Sequence, residues 1–275
     1  MQFENPEIPE GINVSKEHPL KEFIQLVVGV LVFILLIVVV LSLAVEKLVV
    51  YVPFSMEQEI AGNFIDVNSS DEKIQKYLES MTAKLVSHME LGDGMQVSVH
   101  YVDDATMNAF ATVGGHIYIH KGLMDILPNE NALAMVVAHE IGHIKHRHPI
   151  IAMGRGVVIG LLLASLSGID ANKVVGDIAY TAGSVALLKF SREQESMADR
   201  SALTAVVGMY GHAGGAADLF EAFMQERDVS PLIPEFFSTH PLDQERIREI
   251  RNLATINNWG LDLPTTPMPD FNEIK

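Results

Sequence analysis

The chain has 275 residues, no cysteine and a formal net charge of −16 at neutral pH. That acidity excludes the basic face that phosphate binding needs, so nucleic acid is not expected as a partner. The missing thiols exclude disulfides, cysteine nucleophiles and Cys-ligated metals, so any transition-metal site must be built from His and carboxylates.

Residues 1–22 are polar, with Pro6, Pro9 and several Glu, and read as a flexible N-terminal tail. Residues 23–45 then form one apolar run in which only Gln25 and Ser42 are polar and no charge occurs. A bilayer core takes about 20 apolar residues in a helix, so the run predicts a transmembrane helix. A buried core helix would keep a polar face. A cleaved signal peptide, despite the small-x-small pattern of Ser42-Leu43-Ala44, would have a shorter apolar region behind a short basic segment. The expectation is an uncleaved, single-pass anchor in the cell membrane. Lys16 and Lys21 before the run and Lys47 after it favour a cytoplasmic N-terminus, with the rest of the chain on the exported side, periplasmic or extracellular.

From about residue 55 to 258 the pattern is that of a globular domain, with 259–275 as a C-terminal tail. Ile74, Tyr77, Leu78, Met81 and Leu85 recur at helical spacing within 71–90. Residues 96–101 alternate as a strand, Gly114-Gly115 marks a turn, and a second alternating run passes through Ile117 and Ile119. A short helix is expected over 122–127. A long one follows, opened by Asn129 as N-cap and stopped near His148 by Pro149. The apolar stretches 157–166 and 174–188 are short for spanning, and read as core helices or a membrane-facing hairpin. Ser191 and Gln194 have the spacing of a capping box for a helix that ends near Gly208. Helices over 215–227 and 243–258 complete the domain.

His139-Glu140-Ile141-Gly142-His143 is an H-E-x-x-H motif. On a helix, residues four apart share a face, so both imidazoles reach one metal ion while Glu140 leans over its water as general base. The motif lies in an apolar helix, where titratable groups are costly unless paired or bound to metal. A catalytic zinc site needs a third protein ligand. Glu195 is the best candidate, with Asp199 four residues on to accept the N–H of a ligating His. Taken without the His motif, these two carboxylates would read as a solvated face paired with Arg192 or Arg200. Glu193 is the competing ligand, but lies about 160° away around the helix. His146 could reach the same face as His143, although a place in the last helical turn suits a surface cation. His148 has no assigned role, and His88, His100, His116, His120 and His212 have no partner spacing.

Together with Asn108-Ala-Phe-Ala, Gly114-Gly115-His116-Ile-Tyr118, Ala198-Asp199-Arg200 and Ser238-Thr239-His240-Pro241 followed by Arg246-Ile247, these pieces resemble the zinc metallopeptidase family that contains HtpX, BepA and the CAAX prenyl endopeptidases. The resemblance covers about residues 55–258. It implies a mostly helical α+β fold, a zincin-like domain with a small sheet behind one transmembrane helix. It also implies one Zn2+ per chain on His139, His143 and Glu195, and polypeptide substrates, among them misfolded or damaged proteins. His240 would stabilise the oxyanion and Arg246 would support the same region. Asn108, Gly115, His116 and Ile117 would bind substrate, with the strand over 115–119 as the edge against which an extended peptide pairs. The single span departs from the multi-spanning HtpX and CAAX enzymes. Two other classes compete with a peptidase: a membrane-tethered chaperone or binding protein with a vestigial metal site, and a structural zinc protein, which would need a fourth ligand such as His146. The sequence leaves the oligomeric state open.

Overall fold

The computed structural model describes residues 19–62, 71–182, 190–220, 236, 239–241 and 244–271. Most of the expected N-terminal tail, the end of the 174–188 stretch and most of the 215–227 helix lie outside the described residues.

Helix α1 runs over Pro19–Leu48 with none of its residues buried. A short 3-10 turn, Val49–Tyr51, leads into α2, Phe54–Gly62. Helix α3, Glu72–Ser87, is capped by Asp71, whose side chain accepts from the backbone N–H of Lys73 and Ile74. It turns Ile74, Leu78, Met81 and Leu85 into the core, the stripe expected from the sequence.

Three strands follow: β1 Ser98–Val102, β2 Ala109–Thr112 and β3 His116–His120, in the order β1-β3-β2. β3 pairs parallel with β1 and antiparallel with β2. The Gly114-Gly115 turn joins β2 to β3 with both φ angles at 87°. A Cβ on Gly115 would stand 2.0 Å from the carbonyl oxygen of Gln96, so that position has no room for a side chain.

The topology corrects one expectation. β3 is the central strand, not an edge, because both sides of its backbone already carry ladder hydrogen bonds. The outer side of β1 is closed by Gln75, which donates to Val99 O at 2.7 Å and accepts from Tyr101 N at 2.8 Å. The outer side of β2 pairs with no strand among the described residues. The strand with one side unpaired is therefore β2, whose four residues are all buried and which the sequence reading did not recognise as a strand.

After the short α4, Lys121–Met124, helix α5 runs over Glu130–Lys145, with Asn129 accepting from Ala132 N at 2.9 Å. Its side chains from Asn131 to Ile144 are all buried, between the Ile117/Ile119 face of the sheet, α3 and α8. Pro149 does not end α5 but stands in the first turn of the next helix, α6, His148–Ser167, where its missing N–H costs nothing. The junction is Arg147, in the left-handed region at φ 60°.

Helix α6 packs on α7, Ala171–Ala182, and on α1. A Cβ on Gly160 would meet Val174 and Ile178, and one on Gly154 would meet Val45. Most of α6 is not core: Ile159, Leu161, Leu163 and Leu166 are exposed. Both α1 and α6 are long and apolar enough to cross a membrane. Helix α8, Arg192–Tyr210, opens on the expected capping box and ends at Gly211 in the left-handed conformation, three residues beyond the expected stop.

Helix α9 is Gln244–Ile256. The segment after it is not a free tail. Glu130 N donates to Thr266 O at 2.9 Å and Thr266 N to Asn131 Oδ1 at 2.8 Å. Trp259, Leu261, Met268 and Phe271 pack on the core, so the domain's packed body continues to Phe271.

Candidate metal centre

Two helices build the centre. α5 and α8 approach closely at Gly142, where a Cβ would stand 2.9 Å from the carbonyl oxygen of Ala198. Any larger residue there would hold the two helices apart. The close approach sets His139 and His143 of α5 opposite Glu195 and Asp199 of α8, all four buried.

His139 Nε2 and His143 Nε2 are 3.0 Å apart. Glu195 lies 3.4 Å from the first through Oε2 and 3.5 Å from the second through Oε1. A tetrahedral zinc ion with bonds of about 2.0–2.1 Å has donor–donor edges of about 3.3 Å. The observed distances lie near that value, although the two Glu195 contacts run to different oxygens, so a small shift of the carboxylate brings the three residues onto one metal ion. The donor chemistry agrees. Three imidazoles and one carboxylate, all buried, converge on one point, a set of lone pairs that a cation can use together.

The rest of the cluster orients these donors. Asp199 Oδ1 is 2.9 Å from His139 Nδ1, which keeps that nitrogen protonated and leaves Nε2 facing the donor cluster. Arg246 donates to both oxygens of Asp199, from Nε at 2.7 Å and Nη2 at 2.9 Å, and brings Nη1 to 2.8 Å from Glu195 Oε2. The two carboxylates thereby share one cation. The fork is bidentate, which lysine could not reproduce. A third imidazole joins them: His240 Nδ1 is 3.1 Å from Glu195 Oε1 and 3.3 Å from His139 Nε2. His240 Nε2 is 3.4 Å from Glu140 Oε1, and the His240 ring stacks on Phe236. Donor atoms of His139, His143, Glu195 and His240 all lie within 4.8 Å of one another.

Burial and charge set the protonation. Burial works to lower the pKa of His139, but Asp199 and Glu195 outweigh it and push it up to about 9. Burial, with charge on His139, holds His143 well below its usual value. Burial would raise the carboxyl pKa values of Glu195 and Asp199. His240 and His139 reverse this for Glu195, and Arg246 reverses it for Asp199, so both stay ionised. Burial raises Glu140, against the pull of His240 and His139.

The substrate-binding residues expected from sequence are placed differently. Ile117 is fully buried in the core, and its backbone is paired on both sides. Gly115 is held by the turn. His116 projects from the sheet face opposite Ile117 and meets His100, Nδ1 to Nε2 at 2.9 Å. None of the three offers a peptide a free edge. Asn108 stands at the start of β2, buried, with an Oδ1 that has no hydrogen-bond partner among the described residues. His146 is neither ligand nor surface residue: it is half-buried, with Nε2 2.9 Å from Ser201 Oγ. The sequence reading assigned no role to His148, whose Nδ1 lies 2.9 Å from His143 Nδ1, nor to Phe190, whose ring stacks 4.0 Å from that of His143. A His five residues beyond the second motif His was the only signal available.

Comparison with known proteins finds relatives that are proteases. The chain is 30% identical over 201 residues to the beta-barrel assembly-enhancing protease of Escherichia coli, a match covering 67% of this chain and 40% of that protein. It is 29% identical over 176 residues to the mitochondrial metalloendopeptidase OMA1 of Schizosaccharomyces pombe, covering 63% and 51%. It is 27% identical over 242 residues to a protease HtpX homolog of Dictyoglomus turgidum, covering 74% and 78%. The chain thus spans about 40% of the length of the first of these relatives. The description "Peptidase family M48" matches residues 70–254, a range that holds both metal-facing helices and His240, and the chain belongs to that family.

Proposed function

We propose that the protein is a membrane-anchored, zinc-dependent endopeptidase acting on unfolded or damaged polypeptides close to the membrane. The observation that carries this reading is the buried convergence of His139, His143 and Glu195, with donor atoms within 4.8 Å of one another and the Glu140 carboxylate alongside.

Zinc on these three residues supplies Lewis acidity, which acidifies water and polarises a carbonyl. Glu140 takes the proton from the attacking water and delivers it to the leaving amine, a role suited to a carboxyl whose pKa burial has raised. His240, close to both Glu140 and Glu195, stabilises the negative charge that develops on the carbonyl oxygen. Asp199 and Arg246 hold the ligands in place. An extended peptide adds along the outer side of β2, backbone to backbone, with Asn108 at the start of that strand. The α1 helix is the anchor, and the lysine distribution favours the exported side for the domain.

Glu140→Gln is expected to keep the metal and to lower cleavage of an unfolded protein such as casein by roughly a thousandfold. Metal analysis and a cleavage assay on the same preparation check this, and undiminished cleavage by the variant would end the peptidase reading. A second reading rests on the position of His240. As a fourth donor it would close the site into a structural zinc centre. His240→Ala then separates the two: loss of activity with zinc retained fits the catalytic role, whereas loss of zinc together with folding fits the structural one.

A further inference from the structure

We infer that His148 is a positioning residue that fixes the tautomer and orientation of the second metal-facing imidazole, His143. The inference rests on the zinc reading of the site and names a part of the site that no ligand set includes. His143 Nε2 faces His139 and Glu195, so it must present a lone pair to a cation. The ring proton then sits on Nδ1. The only hydrogen-bond partner recorded for that atom among the described residues is His148 Nδ1, at 2.9 Å. His143 donates, His148 accepts, and the proton of His148 is on Nε2. The two metal-facing imidazoles are thus backed differently: His139 by the carboxylate of Asp199, and His143 by a neutral imidazole.

The backbone explains how His148 reaches this place. His143 lies in the last turn of α5 and His148 opens α6, so the chain must fold back sharply between them. It does so at Arg147, which occupies the left-handed region at φ 60° and ψ 24°, an uncommon conformation for a residue with a side chain. Arg147 is held there by the segment that follows α1. Its Nη2 donates to Val52 O at 2.9 Å, it pairs with the buried Glu57, and its guanidinium lies over the Phe54 ring. An unfavourable conformation locked from outside at a site of chemistry is the pattern expected when the turn serves position and not stability. His148 itself is buried, and its ring lies 5.5 Å from that of His146, which Ser201 holds in turn.

The test uses the full-length protein in detergent, stripped of metal and titrated with Zn2+ against a chromophoric chelator, and with Co2+ for its visible spectrum. Zinc binding by the parent chain tests the metal reading; the variants test His148. His148→Leu is expected to weaken zinc binding by about 10–100-fold and to shift the Co2+ bands. His148→Asn places an acceptor oxygen where Nδ1 was and is expected to restore affinity to within a few-fold. His148→Gln carries its amide one bond further out and should behave like His148→Leu. Parent-like zinc affinity in the Leu variant overturns the inference. So does equal weakening of the Asn and Gln variants, which would leave His148 a packing role only. If the Leu variant does not fold, the Asn and Gln pair decides alone.

Discussion

Helices α5 and α6 follow one another across a single left-handed residue, and both are rich in apolar side chains, yet their surroundings differ. In α5 every side chain from Asn131 to Ile144 is buried by protein. In α6 burial is confined to the first turn, from His148 to Ile151, and to Ala164. α5 carries His139, Glu140 and His143 in its interior, each met by a polar neighbour. Beyond its first turn, α6 carries one charge, Arg155, which pairs with Glu46 at the end of α1 at 2.9 Å. The difference teaches that an apolar run records only that side chains leave water. Whether they enter protein or lipid is settled by what the rest of the chain brings to cover them.

That contrast can be broken or sharpened by substitution. The largest effect on stability is expected on the buried side. Arg246→Leu strips both Asp199 and Glu195 of their cation inside the protein, and should destabilise the zinc-free domain by about 3–5 kcal/mol. Urea unfolding followed at Trp259 measures it, and a parent-like midpoint would mean that the carboxylates do not depend on the guanidinium. Gly142→Val should come next. Its side chain meets the α8 backbone at Ala198, so the helices must separate, at a cost of about 1–3 kcal/mol. Glu195 would move away from the imidazoles with them, and zinc titration reads that directly.

A smaller effect, in pH dependence, is expected at the junction between the two regions. Burial raises the pKa of Glu57 above its ordinary 4.5, although Arg147 and the Gly114 N–H pull it down. The native chain therefore keeps a proton that the unfolded chain gives up. Stability falls as pH rises from about 4.5 to the folded-state value and is level beyond it. Glu57→Gln should flatten that limb; an unchanged slope would place its origin in another group. The smallest effect on the fold is expected on α6. Leu163→Ser with Leu166→Ser removes exposed apolar surface and should change unfolding of the domain by no more than about 0.5 kcal/mol. The same pair should weaken retention in liposomes once α1 is removed. Destabilisation comparable to Gly142→Val would show that α6 is core after all.

Much of the site could be read from one dimension, because its residues lie on two helices whose period is fixed. The i, i+4 spacing puts His139 with His143 and Glu195 with Asp199 whatever the rest of the fold does. The Asn129 cap and the Ser191/Gln194 capping box are equally local, and both helices open where they predict. The sheet was less legible. β2 is four residues long, too short for alternation to separate it from a loop, and without it β3 looked like an edge. Thr239-His240-Pro241 carries no periodic signal, so only resemblance placed His240 at the centre. Trp259 to Phe271 looked like a tail because nothing in an extended segment announces the surface that it docks on.

The sequence by itself determined that His139 shares a face with His143 and Glu195 with Asp199, and the helices that carry them, since composition and helical period act within a few residues. Only the tertiary structure decided that β2 and not β3 is the outer strand, that Arg246 serves Asp199 and Glu195 at once, and that His148 lies against His143. These are meetings between segments, set by the approach of α5 and α8 at Gly142 and by the left-handed turn at Arg147. Long-range packing chooses such geometry, and local propensity argues against the second of them.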